Sequence, residues 1–301
     1  MQILNTSINK QFTRASEVQI PNVYFRRFKT GKSDLDEMFG GEGFLPGMTF
    51  TLAAAPGTGK TSFLIQILEL LENSGKKIAY ISGEEGIEQL AFASKRLNVH
   101  KVPLANMTDI DTICDCIKEN KFDFVVLDSM PALTGPKELN SRETEEYIVS
   151  KILQTAKEFE VVIGVILHFT KTGTYKGSTL LPHSVDCNII MDRNKEEPNL
   201  REIEITKNRF GSSGFSIFEM TSTGFTFEAA ETNKENNSKE ISKKEVVFNV
   251  FKGEKKSMKD IVLQTGISVT YLNTILRELQ LEGKVQKEGR GIEAKFKTVN
   301  N

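Results

Sequence analysis

An eight-residue stretch combines glycine, lysine and hydroxyl side chains at spacings suited to binding phosphate. It reads Ala54-Ala55-Pro56-Gly57-Thr58-Gly59-Lys60-Thr61 and lies between an apolar run, 48–53, and a helix-like segment, 62–71. A strand, a tight loop and a helix in this order form the loop that holds nucleotide phosphates, with the pattern G-x-x-x-x-G-K-[ST]. Ala54 stands where the first glycine is usual, and we expect the strand exit to tolerate it.

Each residue type in this loop has a use in phosphate binding. Gly57 and Gly59 let the backbone approach a ligand, and the amides of the loop and first helical turn point toward the β-phosphate. Lys60 supplies charge to the β- and γ-phosphates, and the Thr61 hydroxyl suits Mg²⁺. We therefore predict ATP and Mg²⁺ as cofactors. The predicted nucleotide contacts are Ala55, Pro56, Gly57, Thr58, Gly59, Lys60, Thr61 and Ser62.

Glu84, Asp128 and His168 each follow an apolar run that predicts a strand. Because ligands bind at the carboxyl ends of parallel strands, we expect all three to face the γ-phosphate. Asp128 would hold Mg²⁺, Glu84 would polarise the attacking water as general base, and His168 would sense the γ-phosphate. The structural alternatives are a strand-end carboxylate, a helix-terminal acid and an ordinary hydrogen-bonding histidine. Glu85 competes with Glu84 and is better suited to capping the next helix.

Lys207 and Arg209 lie in a basic segment, 206–211, after a predicted strand. Two residues apart on an extended segment, their side chains project to one side. From a sheet edge such a pair cannot easily reach its own phosphate, so we predict that both act on a neighbouring subunit's nucleotide. A solvated basic turn explains the spacing equally well.

The elements that position these residues predict an α/β fold. Apolar strands alternate with amphipathic helices, which favours a mostly parallel sheet covered by helices on both faces. The last sixty residues predict three helices and a two-stranded hairpin, a winged helix-turn-helix. The predicted divisions are an N-terminal arm at 1–26, an ATPase core at 27–228, a flexible linker at 229–243 and a winged helix-turn-helix domain at 244–301.

Composition limits the partners and the location. Net charge is −1, but residues 241–301 carry twelve Lys or Arg against seven Asp or Glu, so a DNA-facing surface is best sought there. A protein-docking role for the winged helix is the alternative. The chain has three cysteines and no C-x-x-C pair, which supports neither a zinc ribbon nor a disulfide framework. With no signal peptide and no long apolar run, we expect a cytoplasmic protein without membrane contact.

These motifs resemble the RecA-like ATPase core, and most closely the bacterial RadA/Sms family, over about residues 28–228. The motifs that carry the resemblance, besides the phosphate loop, are Thr30-Gly31, Asp34-Leu35-Asp36, Gly40-Gly41, Ser82-Gly83-Glu84-Glu85, Val126-Leu127-Asp128-Ser129, His168-Phe169-Thr170-Lys171, His183-Ser184-Val185-Asp186 and Lys207-Asn208-Arg209-Phe210-Gly211. In that family Glu84 aligns with the catalytic glutamate, and Lys207 and Arg209 align with residues that act on the adjacent subunit's nucleotide.

The resemblance implies a homo-oligomeric ring, expected to be a hexamer, that binds single-stranded DNA in its centre. It implies two DNA loops, about 130–141 and 169–184, with Lys137, Arg142, Lys171 and Lys176 expected to contact DNA phosphates. The chain departs from the pattern of RadA proteins at both ends. Those proteins carry an N-terminal four-cysteine zinc ribbon, for which this sequence lacks the cysteines, and a C-terminal protease-like domain, where this sequence predicts a winged helix.

We therefore predict a RadA-like ATP-dependent motor on single-stranded DNA in recombination or repair. The predicted partner of the winged helix is duplex DNA or a protein of replication or recombination. One alternative is a DnaB-type replicative helicase with the same chemistry. The other is an ATP-switched regulator whose winged helix binds duplex DNA.

Overall fold

The computed structural model describes most of the 301-residue chain. The described residues are 13–40, 42–168, 180–194, 197–211, 214–227, 243–251, 254–265, 272, 275–276, 279–280, 282–289 and 295–299. Several predicted features lie outside these ranges. They are the first twelve residues of the arm, Lys171 and Lys176 of the second DNA loop, and nearly all of the linker.

A nine-stranded sheet forms the centre of the described molecule, in the order β3-β2-β4-β5-β1-β6-β7-β8-β9. Strands β1 to β9 are Thr49–Ala54, Ile78–Ser82, Leu104–Asn106, Phe124–Asp128, Val162–His168, Cys187–Arg193, Leu200–Asn208, Phe215–Thr221 and Gly224–Phe225. Helices α1 to α6 are Ser33–Met38, Lys60–Asn73, Ile87–Arg96, Ile110–Asn120, Ser141–Glu158 and Leu180–Ser184. The predicted alternation of strands and helices is confirmed, whereas β3 and α6 carried no clear sequence pattern.

The first six strands run parallel, and β7, β8 and β9 extend the sheet, each antiparallel to the strand before it. Every residue of β1 and β4 is buried, because helices cover both faces of the sheet. One apolar layer includes Phe50 and Phe124 beneath α2, and the other includes Ile113 of α4 and Ile152 of α5. This arrangement confirms the predicted mostly parallel α/β fold.

Strand register brings the carboxyl ends of the parallel strands to one edge of the sheet. Ala54 at the end of β1 pairs with His168 at the end of β5. Ser82 at the end of β2 pairs with Asp128 at the end of β4. The loops that follow these four strands therefore meet in one place, which is where the predicted site residues fall.

The Thr30-Gly31 and Asp36 motif is a buried polar joint at the entrance to the core. The Asp36 carboxylate accepts hydrogen bonds from the Thr30 amide at 2.8 Å, the Thr30 hydroxyl at 2.9 Å and the Gly31 amide at 3.2 Å. Burial raises the pKa of Asp36, against the opposing effect of these donors. The Asp36 carboxylate of α1 thus holds the preceding segment, at Thr30 and Gly31, against the helix.

A second apolar cluster lies in the C-terminal part of the chain. It contains helices α7, Lys243–Val250, and α8, Met258–Thr265, and a small sheet with the order β10-β12-β11. These strands are Lys256–Ser257, Lys295–Thr298 and Val285–Glu288, in the order of the sheet. The predicted hairpin is present as the antiparallel pair β11 and β12, and β10 adds a strand that the sequence did not predict. The winged helix itself stays a prediction, because most of its third helix lies outside the described ranges.

The C-terminal cluster contacts the antiparallel end of the main sheet. Phe215 and Ile217 of β8 pack against it, and Lys259 of α8 forms an ion pair with Glu202 of β7 at 2.7 Å. None of the helices in the described ranges is both long and apolar enough to cross a membrane.

Candidate nucleotide-binding site

The phosphate-loop sequence forms the turn between β1 and α2. Gly57 has φ +73° and Gly59 has φ +110°, a region of backbone conformation that favours glycine. A Cβ atom on Gly59 would lie 2.8 Å from the Met220 Sδ atom of β8. The backbone conformation therefore favours glycine at position 59, and any larger residue would also have to displace the Met220 side chain.

Lys60 begins α2 and its side chain is buried against the loop. Its ammonium group donates to the carbonyl oxygens of Ala54 at 3.1 Å and Ala55 at 3.3 Å. Burial lowers the pKa of Lys60, and the charges of Asp128 and Glu84 oppose that shift. The ammonium group is thus held inside the loop, close to two carboxylates.

Glu84, Asp128 and His168 converge beside Lys60, as their strand-end positions predicted. Their potential ligand atoms all lie within 4.8 Å of one another. His168 Nε2 lies 3.2 Å from Glu84 Oε2, and the Ser129 hydroxyl donates to Glu84 Oε1. The Glu84 carboxylate is therefore oriented from two sides while remaining partly exposed.

Asp128 is buried at the end of β4, where the Tyr80 hydroxyl donates to its Oδ2 atom at 2.6 Å. Burial raises the pKa of Asp128, more than the Tyr80 hydroxyl lowers it, and the charge of Glu84 adds to the rise. Burial and the Asp128 carboxylate raise the pKa of Tyr80 well above its usual value, against the opposing effect of the Thr61 side chain. A carboxylate and a hydroxyl are hard oxygen donors, so the residues present fit Mg²⁺.

The remaining loop residues differ in exposure. Ala55, Pro56 and Gly57 are exposed, whereas Thr58 and Ser62 are buried. The Thr58 hydroxyl donates to the Ala55 carbonyl at 2.8 Å, which closes the loop on itself. The outer part of the loop is therefore open to a ligand while its inner part is tied to the fold.

Lys207 and Arg209 lie at the opposite edge of the sheet from the phosphate loop. Lys207 donates to the His183 carbonyl at 2.8 Å, and Arg209 Nη1 pairs with Asp186 Oδ1 at 3.2 Å. Asp186 is buried and accepts hydrogen bonds from the Thr49 amide and hydroxyl at the start of β1. The structure therefore does not bring these two cations to the cluster of Glu84, Asp128 and His168 in their own chain.

Two arginines at the phosphate loop carried no sequence motif and were missed. Arg193, the last residue of β6, donates to the Gly57 carbonyl at 2.6 Å. Arg201, near the start of β7, donates to the Thr58 carbonyl at 2.7 Å. Tyr80 and Ser129 were also missed as partners of the acidic residues, since neither stands at a position that the strand pattern singles out.

Two of the four predicted DNA-loop cations are described, and both are exposed. Lys137 lies in the segment between β4 and α5, and Arg142 lies in the first turn of α5. Arg142 forms an exposed ion pair with Glu146 at 3.0 Å. These side chains are accessible to an anionic ligand, and their role in DNA binding stays a prediction.

Comparison with known proteins gives one family and several relatives. The AAA domain family matches residues 14–174, just over half of the chain. The DNA repair protein RadA of Streptococcus pyogenes serotype M6 is 32% identical over 213 residues, which are 68% of this chain and 46% of that protein. The DNA repair protein RadA of Escherichia coli strain K12 is 31% identical over 208 residues, 66% of this chain and 44% of that protein. The chain thus spans less than half the length of these relatives.

A solved structure has the same fold. The ATPase domain of G40P superposes with a TM-score of 0.60 at 16% identity, covering 68% of this chain and 92% of that domain.

Proposed function

The chain belongs to the AAA domain family and is RadA-like, with the RecA/DnaB-type ATPase fold that its motifs predicted, and we propose that it hydrolyses Mg²⁺-bound ATP to act on DNA. The observation that carries this proposal is the convergence of Glu84, Asp128 and His168 beside Lys60 at the phosphate loop. A lysine at the phosphate loop, an acid that can hold Mg²⁺ and a second acid that can position water are groups that phosphoryl transfer to water uses.

The proposed roles follow from the contacts. The loop amides and the N-terminus of α2 would bind the β-phosphate. Lys60 would exchange its bonds to the Ala54 and Ala55 carbonyls for bonds to phosphate oxygens. Thr61 and Asp128 would hold Mg²⁺, which when bound neutralises phosphate charge.

Glu84 is the proposed general base. Its carboxylate remains partly exposed, and Ser129 and His168 orient it, so it can accept a hydrogen bond from a water molecule. His168 touches Glu84 directly and would register the presence of the γ-phosphate. Because His168 directly precedes the second predicted DNA loop, about 169–184, in the chain, it would pass that information to this loop.

The site is proposed to be completed by another copy of the chain. Lys207 and Arg209 stand at the far edge of the sheet, so a cation for the γ-phosphate has to come from a neighbour if it comes from this pair. A homo-oligomeric ring, with a hexamer as the expected size, would place the far edge of one copy against the phosphate loop of the next.

Single-stranded DNA is the proposed substrate, and recombination or repair the proposed process. The support is the identity with RadA, which is named a DNA repair protein, and the exposed Lys137 and Arg142 near the catalytic edge. The C-terminal cluster, as a winged helix, would bind duplex DNA or a protein of replication or recombination. A DnaB-type replicative helicase is the second candidate, since a DnaB-like replicative helicase has the same fold with a TM-score of 0.59.

The test is ATP hydrolysis measured with and without single-stranded DNA. We expect at least tenfold stimulation, about 1.4 kcal/mol in the barrier, and its loss in Glu84→Gln. Glu88→Gln, on the exposed first turn of α3, is the control and should behave like the unchanged chain. A slow rate indifferent to DNA would contradict the motor and favour the ATP-switched regulator. Processive unwinding of a forked duplex would favour the helicase over the repair role.

A further inference from the structure

Arg201 is a buried cation whose hydrogen bonds within the described part of the chain all go to backbone carbonyls. The residue is 6% exposed, and its guanidinium donates to Thr58 at 2.7 Å, Pro198 at 2.7 Å and Leu200 at 3.0 Å. Within the described ranges no carboxylate lies within ion-pair distance of it. Burying a charge without a counter-ion lowers the stability of the fold. We therefore expect the Arg201 guanidinium to serve a group close to it.

Arg193 adds a second positive charge at the same place. Arg193 of β6 and Arg201 of β7 are directly opposite each other in the antiparallel register. Like charges in such a pair repel. Burial lowers the pKa of Arg201, and the charge of Arg193 lowers it further. Both guanidinium groups nevertheless point to the phosphate loop, where Arg193 holds the Gly57 carbonyl and Arg201 holds the Thr58 carbonyl.

Two consecutive carbonyls held in this way determine where two amides point. In a planar trans peptide the C=O and N–H bonds are antiparallel. The Gly57 carbonyl faces Arg193, so the Thr58 amide faces away from it, where its contact with the Ala55 carbonyl is long at 3.4 Å. The Thr58 carbonyl faces Arg201, so the Gly59 amide is also directed away from the arginines. Successive amides on one side of a loop form an anion-binding concavity.

We propose that Arg201, with Arg193 beside it, is a positioning residue that holds the phosphate loop in its phosphate-binding shape before nucleotide arrives. The inference rests on the proposed function, because the ligand is the polyphosphate of the nucleotide. Arg201 touches only the backbone of the loop, so it acts through the loop amides and not on the reacting atoms.

The experiment compares Arg201→Lys and Arg201→Met with Glu202→Gln in the full chain. Glu202 is the next residue of β7 and points to the other face, where it pairs with Lys259. It therefore controls for general disturbance of the strand. Binding of Mg²⁺·ADP is measured by calorimetry, melting temperature by scanning calorimetry, and KM and kcat for ATP from steady-state rates.

We expect Arg201→Met to raise the Kd for Mg²⁺·ADP and the KM for ATP by about tenfold to a hundredfold, the range for losing a charged hydrogen bond. The change in kcat at saturating ATP should stay within about threefold, because binding energy re-forms the loop. Arg201→Lys keeps one donor and should restore part of the affinity. Glu202→Gln should leave the Kd within about twofold.

Three results would overturn the inference. The first is an unchanged Kd in Arg201→Met, and the second is an equal loss in Glu202→Gln. The third is a loss of affinity that follows the melting temperature across all variants, which would indicate a merely structural role. The proposed function survives any of these, provided that the unchanged chain binds Mg²⁺·ADP. If the unchanged chain does not bind it, the proposed function fails and the inference fails with it.

Discussion

Removing the Arg209 side chain is the perturbation that most sharply tests assembly of the site from two copies. Arg209 follows β7 and contacts Asp186, which is bonded to Thr49 at the start of β1. The phosphate loop begins after Ala54, at the other end of that strand. Five steps along a strand span about 16 Å, so Arg209 is separated from its own phosphate loop by the full length of β1.

The expected magnitude separates catalysis from folding. A cation acting on a neighbour's γ-phosphate contributes about 10³-fold or more to kcat, which is about 4 kcal/mol. The Arg209 side chain is 51% exposed, so its ion pair with Asp186 contributes at most about 1 kcal/mol after solvent screening. Asp186 keeps its two bonds to Thr49 in Arg209→Ala. We therefore expect kcat to fall about a thousandfold while the melting temperature changes by no more than about 4 °C.

The assay mixes two inactive proteins. Lys60→Ala lacks the loop lysine and keeps Arg209, whereas Arg209→Ala keeps an intact loop. Interfaces that join the intact loop of one copy to the Arg209 of the other should regain hydrolysis, with a maximum near equal proportions. Co-assembly is checked by light scattering, and the double variant serves as the control. Mixed assemblies that stay inactive would refute action in trans, as would a loss of Mg²⁺·ADP affinity in Arg209→Ala alone.

Three further predictions concern single residues of the core. The folded protein raises the pKa of Asp128, so it disfavours the ionised carboxylate. The carboxyl group therefore does not lower the stability of the fold below its unfolded pKa of about 3.9, and its ionisation destabilises the fold as pH rises through the folded pKa. Asp128→Asn should therefore melt a few degrees higher than the unchanged chain at pH 7, and this difference should vanish below about pH 4. The variant should also lose Mg²⁺-dependent hydrolysis. A lower melting temperature than that of the unchanged chain at pH 7 would contradict this prediction. Gly59→Ala places a Cβ 2.8 Å from Met220 at φ +110° and should cost about 1–3 kcal/mol in urea denaturation; full stability would mean that the loop relaxes freely. Asp36→Ala leaves the Thr30 donors unsatisfied and should cost a similar 1–3 kcal/mol, with kcat preserved well below the melting temperature.

Strand periodicity and chain order carried most of the fold prediction. Apolar runs such as 124–127 and 161–167 can only be buried on both faces, so they indicate central strands between helices. Strand β3 and helix α6 were missed because each has at most five residues, too few to show a period. Strand β10 has two residues and exists only because β12 offers it a partner.

The candidate site likewise has one part that the sequence predicts and another that depends on the tertiary structure. The amino-acid sequence by itself determined the phosphate loop and the convergence of Glu84, Asp128 and His168, because residues that end parallel strands share one edge of the sheet. Only the tertiary structure decided what supports them. Tyr80 lies inside a strand, and Arg193 and Arg201 meet the loop from strands more than 130 residues later in the chain. Such contacts depend on strand register and on the order of strands in the sheet, which no local pattern of residues encodes.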